Sequence, residues 1–224
     1  MLVIEHLKCA YKSVCKSASS TIYVWLQQHL PELSDLSQHD RRVKMDIELA
    51  APKNINFTQN LSEYFLFSVV RNPWSRLVSA HKELLRGKEP KKNPISLSIA
   101  EVHKILKGSL DFKDFVDFVV NIEPSAKGSL GTNAHWVPQS EWLSNAQGSW
   151  RGLEVEDYDF IGKVESIDAD IITIEKGVGV PFPIPLSRVN QSPSYNYRDE
   201  YTPDLVDIVG KYYEEDIERF NYEF

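Results

Sequence analysis

The feature that most constrains this chain is residues 64–70, YFLFSVV. Apolar, aromatic and β-branched residues follow one another there, interrupted only by Ser68. A run of this length and composition reads as a strand buried on both faces. Asn72-Pro73 follows directly. Residues 74–86 then place Trp74, Leu77, Val78 and Leu85 at helical spacing, and Pro73 suits the first turn of that helix. A doubly buried strand feeding a helix is the repeating unit of a parallel α/β architecture.

The rest of the chain supports the same class. Residues 8–15 mix apolar and polar side chains and read as a strand, followed by a tight loop of small hydroxyl residues. Residues 21–30 (TIYVWLQQHL) read as a helix ended by Pro31. Residues 31–62 are polar and irregular, and residues 86–96 (RGKEPKKNPIS) form a basic loop. Residues 98–107 and 111–121 read as two amphipathic helices, and 124–134 as a Gly/Ser-rich loop. Residues 158–164 (YDFIGKV) form a further strand, and 167–177 a helix ended by Gly177. Residues 181–202 hold four prolines and form a long loop. Thr202-Pro203 opens a last helix with an apolar face of Leu205, Ile208, Val209, Tyr212 and Tyr213. Strands alternating with helices predict a mainly parallel sheet with crossover helices. No fixed-period repeat is present.

Composition narrows the class. With 224 residues, one domain spanning 1–224 is expected. Apolar residues make up 42% and charged residues 25%, enough apolar material to bury a core, so disorder is excluded as the main state. The chain carries 25 Lys and Arg against 32 Asp and Glu, a net charge of −7, the reverse of a general nucleic-acid binder. That balance also disfavours polyanionic polymers such as glycosaminoglycans, while leaving room for a local basic pocket. Cys9 and Cys15 are the two cysteines. On one strand they share a face but lie too far apart for a disulfide. Two such residues suggest a reducing compartment such as the cytoplasm and no paired-Cys zinc site. The start, MLVIEHLKCAYK, is broken by Glu5, His6 and Lys8 and does not read as a signal peptide. No run of about 18 apolar residues exists to span a membrane, and a lumenal enzyme trimmed of its anchor would look the same.

Two constellations carry chemistry. Residues 15–21, Cys-Lys-Ser-Ala-Ser-Ser-Thr, lie between the first strand and its helix. Small residues let backbone N–H groups approach an anion, and the helix start adds unpaired donors and a positive dipole end. Lys16 adds a full charge, and the hydroxyls add donors. This is not the GxxxxGK[ST] loop, since the lysine precedes the small residues and glycine is absent. The rival reading is a Ser-rich helix cap with a surface lysine. The second constellation is residues 67–79, FSVVRNPWSRLVS. Arg71 falls at the carboxyl end of the second strand, where parallel sheets collect ligands, and Ser79 lies eight residues on. Lys16 and Arg71 are then expected on one sheet edge, gripping two anionic groups of one nucleotide; arginine suits a terminal phosphate. The rival is that Arg71 pairs locally and Ser79 fills a gap.

Taken together, the chain resembles the sulfotransferases that use 3′-phosphoadenosine 5′-phosphosulfate (PAPS), particularly the Golgi-type carbohydrate sulfotransferases and their bacterial relatives. The first pattern is Lys16-Ser17-Ala18-Ser19-Ser20-Thr21, and the second runs from Arg71-Asn72-Pro73 through Arg76 to Ser79. Three further stretches fit in order: His135-Trp136-Val137-Pro138-Gln139, the segment 158–165, and the C-terminal Tyr213-Glu214-Glu215-Asp216 with Phe220-Asn221-Tyr222. Cys15 stands where the family often has proline, and Ser19 where glycine is frequent.

The resemblance implies a P-loop-like three-layer sandwich with a central, mainly parallel sheet flanked by helices. It implies in-line transfer of the sulfuryl group to a hydroxyl on a carbohydrate or small glycosylated metabolite, releasing adenosine 3′,5′-bisphosphate, without a metal. Lys16 would neutralise the leaving 5′-phosphate oxygen. Ser17, Ala18, Ser19, Ser20 and Thr21 would hold the 5′-phosphosulfate, and Arg71 and Ser79 the 3′-phosphate. Arg188, near Asn190, lies in a loop resembling the family's cofactor-covering segment. The acceptor needs a general base. His135 is the first candidate, with Trp136 to stack on a sugar and Gln139 to bond its hydroxyls. His39 and Glu48 are rivals; His29, His81 and His103 sit in helix-like stretches and read as structural or exposed. Lys163 reads as a solvated lysine with Glu165 as partner, and the basic loop 86–92 as a solvated charge run that would attract an acidic acceptor. Two other classes stay open. A P-loop kinase would need a Gly-rich loop and metal-binding carboxylates. A non-catalytic nucleotide- or glycan-binding module would bind the bisphosphate and transfer nothing.

Overall fold

The computed structural model describes residues 1–29, 61–86, 111–121, 133–144, 153–182 and 196–224. Along the chain, strands β1 (Leu2–Ile4) and β2 (Cys9–Lys12) precede helix α1 (Ser19–Gln27). Strand β3 (Phe65–Val70) leads to α2 (Pro73–Arg86) and α3 (Phe112–Asn121). The short α4 (Gln139–Leu143) precedes β4 (Phe160–Lys163) and α5 (Ile167–Val178); α6 (Pro203–Tyr212) and α7 (Glu214–Arg219) follow. These elements group into two compact units, Met1–Val70 with Leu143–Ser194, and Arg71–Trp142 with Tyr195–Phe224.

The first unit is a four-stranded mixed sheet with helices, of α/β character, in the order β1-β2-β3-β4. The expected parallel pairing holds for β2 with β3 and β3 with β4, where Tyr11 lies opposite Phe67 and Val70 opposite Lys163. β1 pairs antiparallel with β2, Leu2 opposite Tyr11. This edge strand was not expected. Its three residues precede a 3-10 turn, too short to show any periodicity. β3 is buried along nearly its whole length, as the apolar run predicts. Alternate residues Leu2, Ile4, Cys9, Tyr11, Phe67 and Val69 form one sheet face. Against it pack Ile22, Trp25 and Leu26 of α1 and Ile171, Ile174 and Val178 of α5.

Several boundaries differ from expectation for physical reasons. β2 ends at Lys12, so Cys15 lies in the following loop rather than on the strand face with Cys9; neither cysteine is in a disulfide. Burial pushes the Cys9 thiol up to about 12. α1 stops at Gln27, before Pro31 is reached. α5 does not end at Gly177. It runs to Val178 and is capped by Gly179, in the left-handed region at φ 80°, whose N–H donates to the Glu175 carbonyl at 2.8 Å. Gly177 serves packing instead: a Cβ there would come within 2.3 Å of the Phe65 ring.

The second unit is helical. Trp74, Leu77 and Val78 of α2, Phe112, Phe115 and Val119 of α3, and Leu205 and Val209 of α6 share one core with Trp136 and Tyr213. α2 begins at Pro73 as expected, and the Asn72 carboxamide caps it by accepting from Ser75 N–H at 3.2 Å. Thr202 caps α6 in the same way, accepting from Leu205 N–H at 3.4 Å ahead of Pro203. Ile208, expected on the apolar face of α6, is instead 39% exposed. His81 is buried against Phe112 and Phe115, as a structural histidine. Among the described residues no helix is long and apolar enough to cross a membrane. The readings made for residues 31–60, 87–110, 122–132 and 183–195 lie outside the described residues, and with them His39, Glu48, His103, Arg188 and Asn190.

Candidate functional site

The loop of the first unit follows the carboxyl end of β2. Lys16 and Ala18 both take positive φ, 69° and 56°. Ser17 between them has no such φ and is fully buried. Where left-handed and right-handed residues alternate, successive backbone N–H groups can be turned toward one side, an arrangement that binds anions. Each positive φ on a residue with a Cβ costs about 1–2 kcal/mol, so the conformation is held by its surroundings. Ser17 N–H donates to the Val14 carbonyl at 3.3 Å, and Thr21 and Ile22 N–H both donate to the Ala18 carbonyl, at 2.9 and 3.2 Å.

Ala18 is the N-cap of α1, and no side chain caps that helix. The Ser-rich cap considered as the rival reading is therefore not formed. Alanine is among the poorest N-cap residues because it has no oxygen to accept from the first turn. The N–H groups of Ser19 and Ser20 open that first turn, ahead of the first residues that can bond back to the Ala18 carbonyl. An anion placed there would supply an acceptor. Lys16, Ser19 and Ser20 are half-buried, and Thr21 is buried.

Lys12, which sequence reasoning passed over, ends β2 just before this loop and is itself buried. Ser68 of β3 donates to its carbonyl at 2.7 Å. Burial holds the Lys12 ammonium below the ordinary lysine range, and charge on the neighbouring Cys15 opposes that shift. The available signal was a lysine closing an otherwise apolar strand. Tyr11, the residue before it, is fully buried, and its phenol has no hydrogen-bond partner among the described residues.

Arg71 opens the second unit and follows Val70, the last residue of β3, directly. Its backbone is gripped by a side chain 68 residues away. Gln139 Oε1 accepts from Arg71 N–H at 2.9 Å, and Gln139 Nε2 donates to the Arg71 carbonyl at 2.8 Å. The Arg71 side chain donates from Nε to Ser75 Oγ at 3.0 Å. Ser79, buried, lies one turn beyond Ser75 on α2. Asn72 Nδ2 donates to the Glu223 carbonyl at 2.7 Å. Arg76, almost fully buried, donates to the carbonyls of Val137 at 2.8 Å and Ala134 at 3.1 Å. Asp216 is fully buried and accepts from the N–H groups of Gln139 and Ser140, each at 2.7 Å.

Two expected acceptor contacts are corrected by this geometry. Trp136 is not placed to stack on a sugar: it is buried, edge-on to Phe115 and Phe118. The Tyr213 phenol also donates to its carbonyl. Gln139 is not placed to bond an acceptor's hydroxyls, because it is fully buried and its carboxamide is engaged by Arg71. His135 sits at the end of a 3-10 turn with its Nε2 3.6 Å from Glu83 Oε2, its side chain 15% exposed. Lys163 closes β4, half-buried, and its backbone N–H donates to Asp170 Oδ2 at 2.7 Å. Lys16 with its hydroxyl loop therefore belongs to the first unit, and Arg71, Ser79 and His135 to the second. Among the described residues no group of three or more His, Cys, Asp or Glu side chains is gathered for a metal ion.

Known proteins bear on these two motifs. In an alignment 161 positions long that covers 65% of this chain, the sequence is 27% identical to carbohydrate sulfotransferase 14 of Danio rerio. The match spans 40% of that relative's length. No solved structure matches. The Sulfotransferase family matches from residue 1 to residue 223, taking in both the Lys16 loop and the Arg71 helix, and the chain belongs to that family.

Proposed function

We propose that this chain transfers the sulfuryl group of 3′-phosphoadenosine 5′-phosphosulfate to a hydroxyl on a carbohydrate or small glycosylated metabolite. The observation that carries the reading is the Lys16 loop, with its alternating positive φ and a helix left uncapped by any side chain. Membership of the Sulfotransferase family supports the transferred group. The Danio rerio relative, a carbohydrate sulfotransferase by name, supports the acceptor class. The match over residues 1–223, together with the parallel pairing of β2, β3 and β4, supports one P-loop-like, three-layer sulfotransferase domain.

In this reading the acceptor oxygen attacks sulfur as the bond from sulfur to the 5′-phosphate oxygen breaks. Positioning and electrostatics then supply most of the rate, as in phosphoryl transfer. Lys16 neutralises the leaving oxygen. Ser17, Ala18, Ser19, Ser20 and Thr21 hold the 5′-phosphosulfate through backbone N–H groups and hydroxyls. Arg71 and Ser79 take the 3′-phosphate, with Ser75 holding the Arg71 guanidinium by its Nε. His135 accepts the acceptor's proton, and Glu83 beside it favours the imidazolium that results. His39 and Glu48 are the alternatives for that role, and Arg188 covers the nucleotide. No step is assigned to a metal.

Calorimetry with adenosine 3′,5′-bisphosphate and with ATP–magnesium tests the reading. Binding of the first and not the second is expected, and Arg71→Ala is expected to weaken it by roughly 1.5–3 kcal/mol, the range for a hydrogen bond to a charged group. Preference for ATP–magnesium would point to a kinase. Binding without transfer of labelled sulfate to any acceptor in a hydroxyl panel would point to a module without turnover.

A further inference from the structure

We propose that Gln139 and Asp216 are positioning residues for Arg71, and that through them the C-terminal helix α7 sets how well this chain distinguishes a nucleotide carrying a 3′-phosphate from one without it. The inference rests on the reading above that Arg71 takes that phosphate.

Backbone pairing of β3 with β4 ends at Val70, opposite Lys163. Arg71 is the next residue, and the Gln139 carboxamide meets both its N–H and its carbonyl, at 2.9 and 2.8 Å. A side-chain amide thus does for Arg71 what a neighbouring strand would do, holding both of its backbone polar groups. The orientation of the amide is dictated by the backbone, since an N–H must meet Oε1 and a carbonyl must meet Nε2. Gln139 is held in turn by Asp216, whose two oxygens receive the N–H groups of Gln139 and Ser140 at 2.7 Å. Gln139 and Asp216 are both fully buried, so this chain of bonds is sheltered from competing water. Asn72 extends the hold by bonding the Glu223 carbonyl and Ser75 N–H. The residue clamped so completely is the one whose side chain the function needs in a fixed place. Misplacing such a group by about 1 Å costs up to 10²-fold.

The test uses the full chain, with Kd values for adenosine 3′,5′-bisphosphate and adenosine 5′-monophosphate measured by calorimetry. Their ratio reports 3′-phosphate selectivity and does not depend on the fraction of protein that is folded. Gln139→Met keeps the volume and removes both bonds. It is expected to lower the ratio on the order of 10-fold, with the monophosphate Kd within about twofold of the parent, and to change the ratio no further once Arg71 is already alanine. Asp216→Asn keeps Gln139 but replaces one accepting oxygen by an NH2 group, and is expected to lower the ratio by roughly threefold. A merely structural role would weaken both nucleotides equally, and that outcome overturns the proposal. So does an unchanged ratio in Gln139→Met where Arg71→Ala collapses it. If Gln139→Met does not fold, Asp216→Asn decides by the same ratio. If Arg71→Ala itself leaves the ratio intact, the donor assignment fails, a result distinct from failure of the clamp.

Discussion

The loop at residues 13–18 and the platform under Arg71 hold Lys16 and Arg71 in place by different physical means. The loop is made of backbone. Its shape comes from the left-handed conformations of Lys16 and Ala18, and Ala18 leaves the first turn of α1 without a side-chain cap. The platform is made of buried side chains: Gln139, Asp216, Asn72 and Arg76 each hold backbone groups of other segments. Groups arranged by local conformation can be altered with little effect on stability. Groups arranged by a buried polar network cannot, because each lost partner leaves a donor or acceptor stranded away from water.

Substitutions at three positions sharpen or break this contrast. The largest effect is expected for Lys16→Ala, which in the proposed reaction removes the charge that neutralises the leaving oxygen. Turnover should fall at least 10²–10³-fold, about 2.7–4 kcal/mol, the range for losing one stabilising group at a developing oxyanion. Its unfolding free energy in urea should stay within about 0.5 kcal/mol of the parent. A sulfate-transfer assay beside a urea melt checks both, and a large loss of stability would show that the lysine also holds the loop. Arg76→Met should behave in the opposite sense. It strands the Val137 and Ala134 carbonyls and is expected to destabilise the chain by about 2–3 kcal/mol in urea unfolding. Arg76→Lys should recover only part of this, since one ammonium does not reproduce a planar fork reaching two carbonyls. The smallest effect is expected for Ala18→Gly. Relief of the positive φ, about 1–2 kcal/mol, matches or exceeds the added entropy of unfolded glycine, about 0.4–1 kcal/mol, so a gain of up to about 1.6 kcal/mol is expected, with every backbone N–H of the loop retained. A loss of stability in that variant would mean that the Ala18 methyl contributes packing.

Legibility in the sequence followed the range of the forces involved. β3, α2 and the start of α6 were readable because an apolar run, Pro73 and Thr202-Pro203 act over a few residues. β1 was not, because three residues carry no period and its pairing with β2 is a tertiary event. The end of α5 was misplaced because Gly177 and Gly179 look alike as letters. One admits the Phe65 ring and the other supplies the left-handed cap. At the site, Lys16 and Arg71 could be picked out by their places after strands. Trp136 and Gln139 were assigned to an acceptor because nothing local reveals that they face inward.

The sequence by itself determined where cations fall relative to strand ends and helix starts, since periodicity, proline and hydroxyl residues act locally. It also carried enough ordered motif to place the chain in its family. Only the tertiary structure decided that Lys16 and Ala18 take positive φ, against the ordinary preference of both residue types. It alone decided that Gln139 reaches across 68 positions to hold the backbone of Arg71. Conformations opposed to intrinsic preference, and hydrogen bonds between distant segments, are maintained by the packing around them, and that packing exists only once the chain has folded.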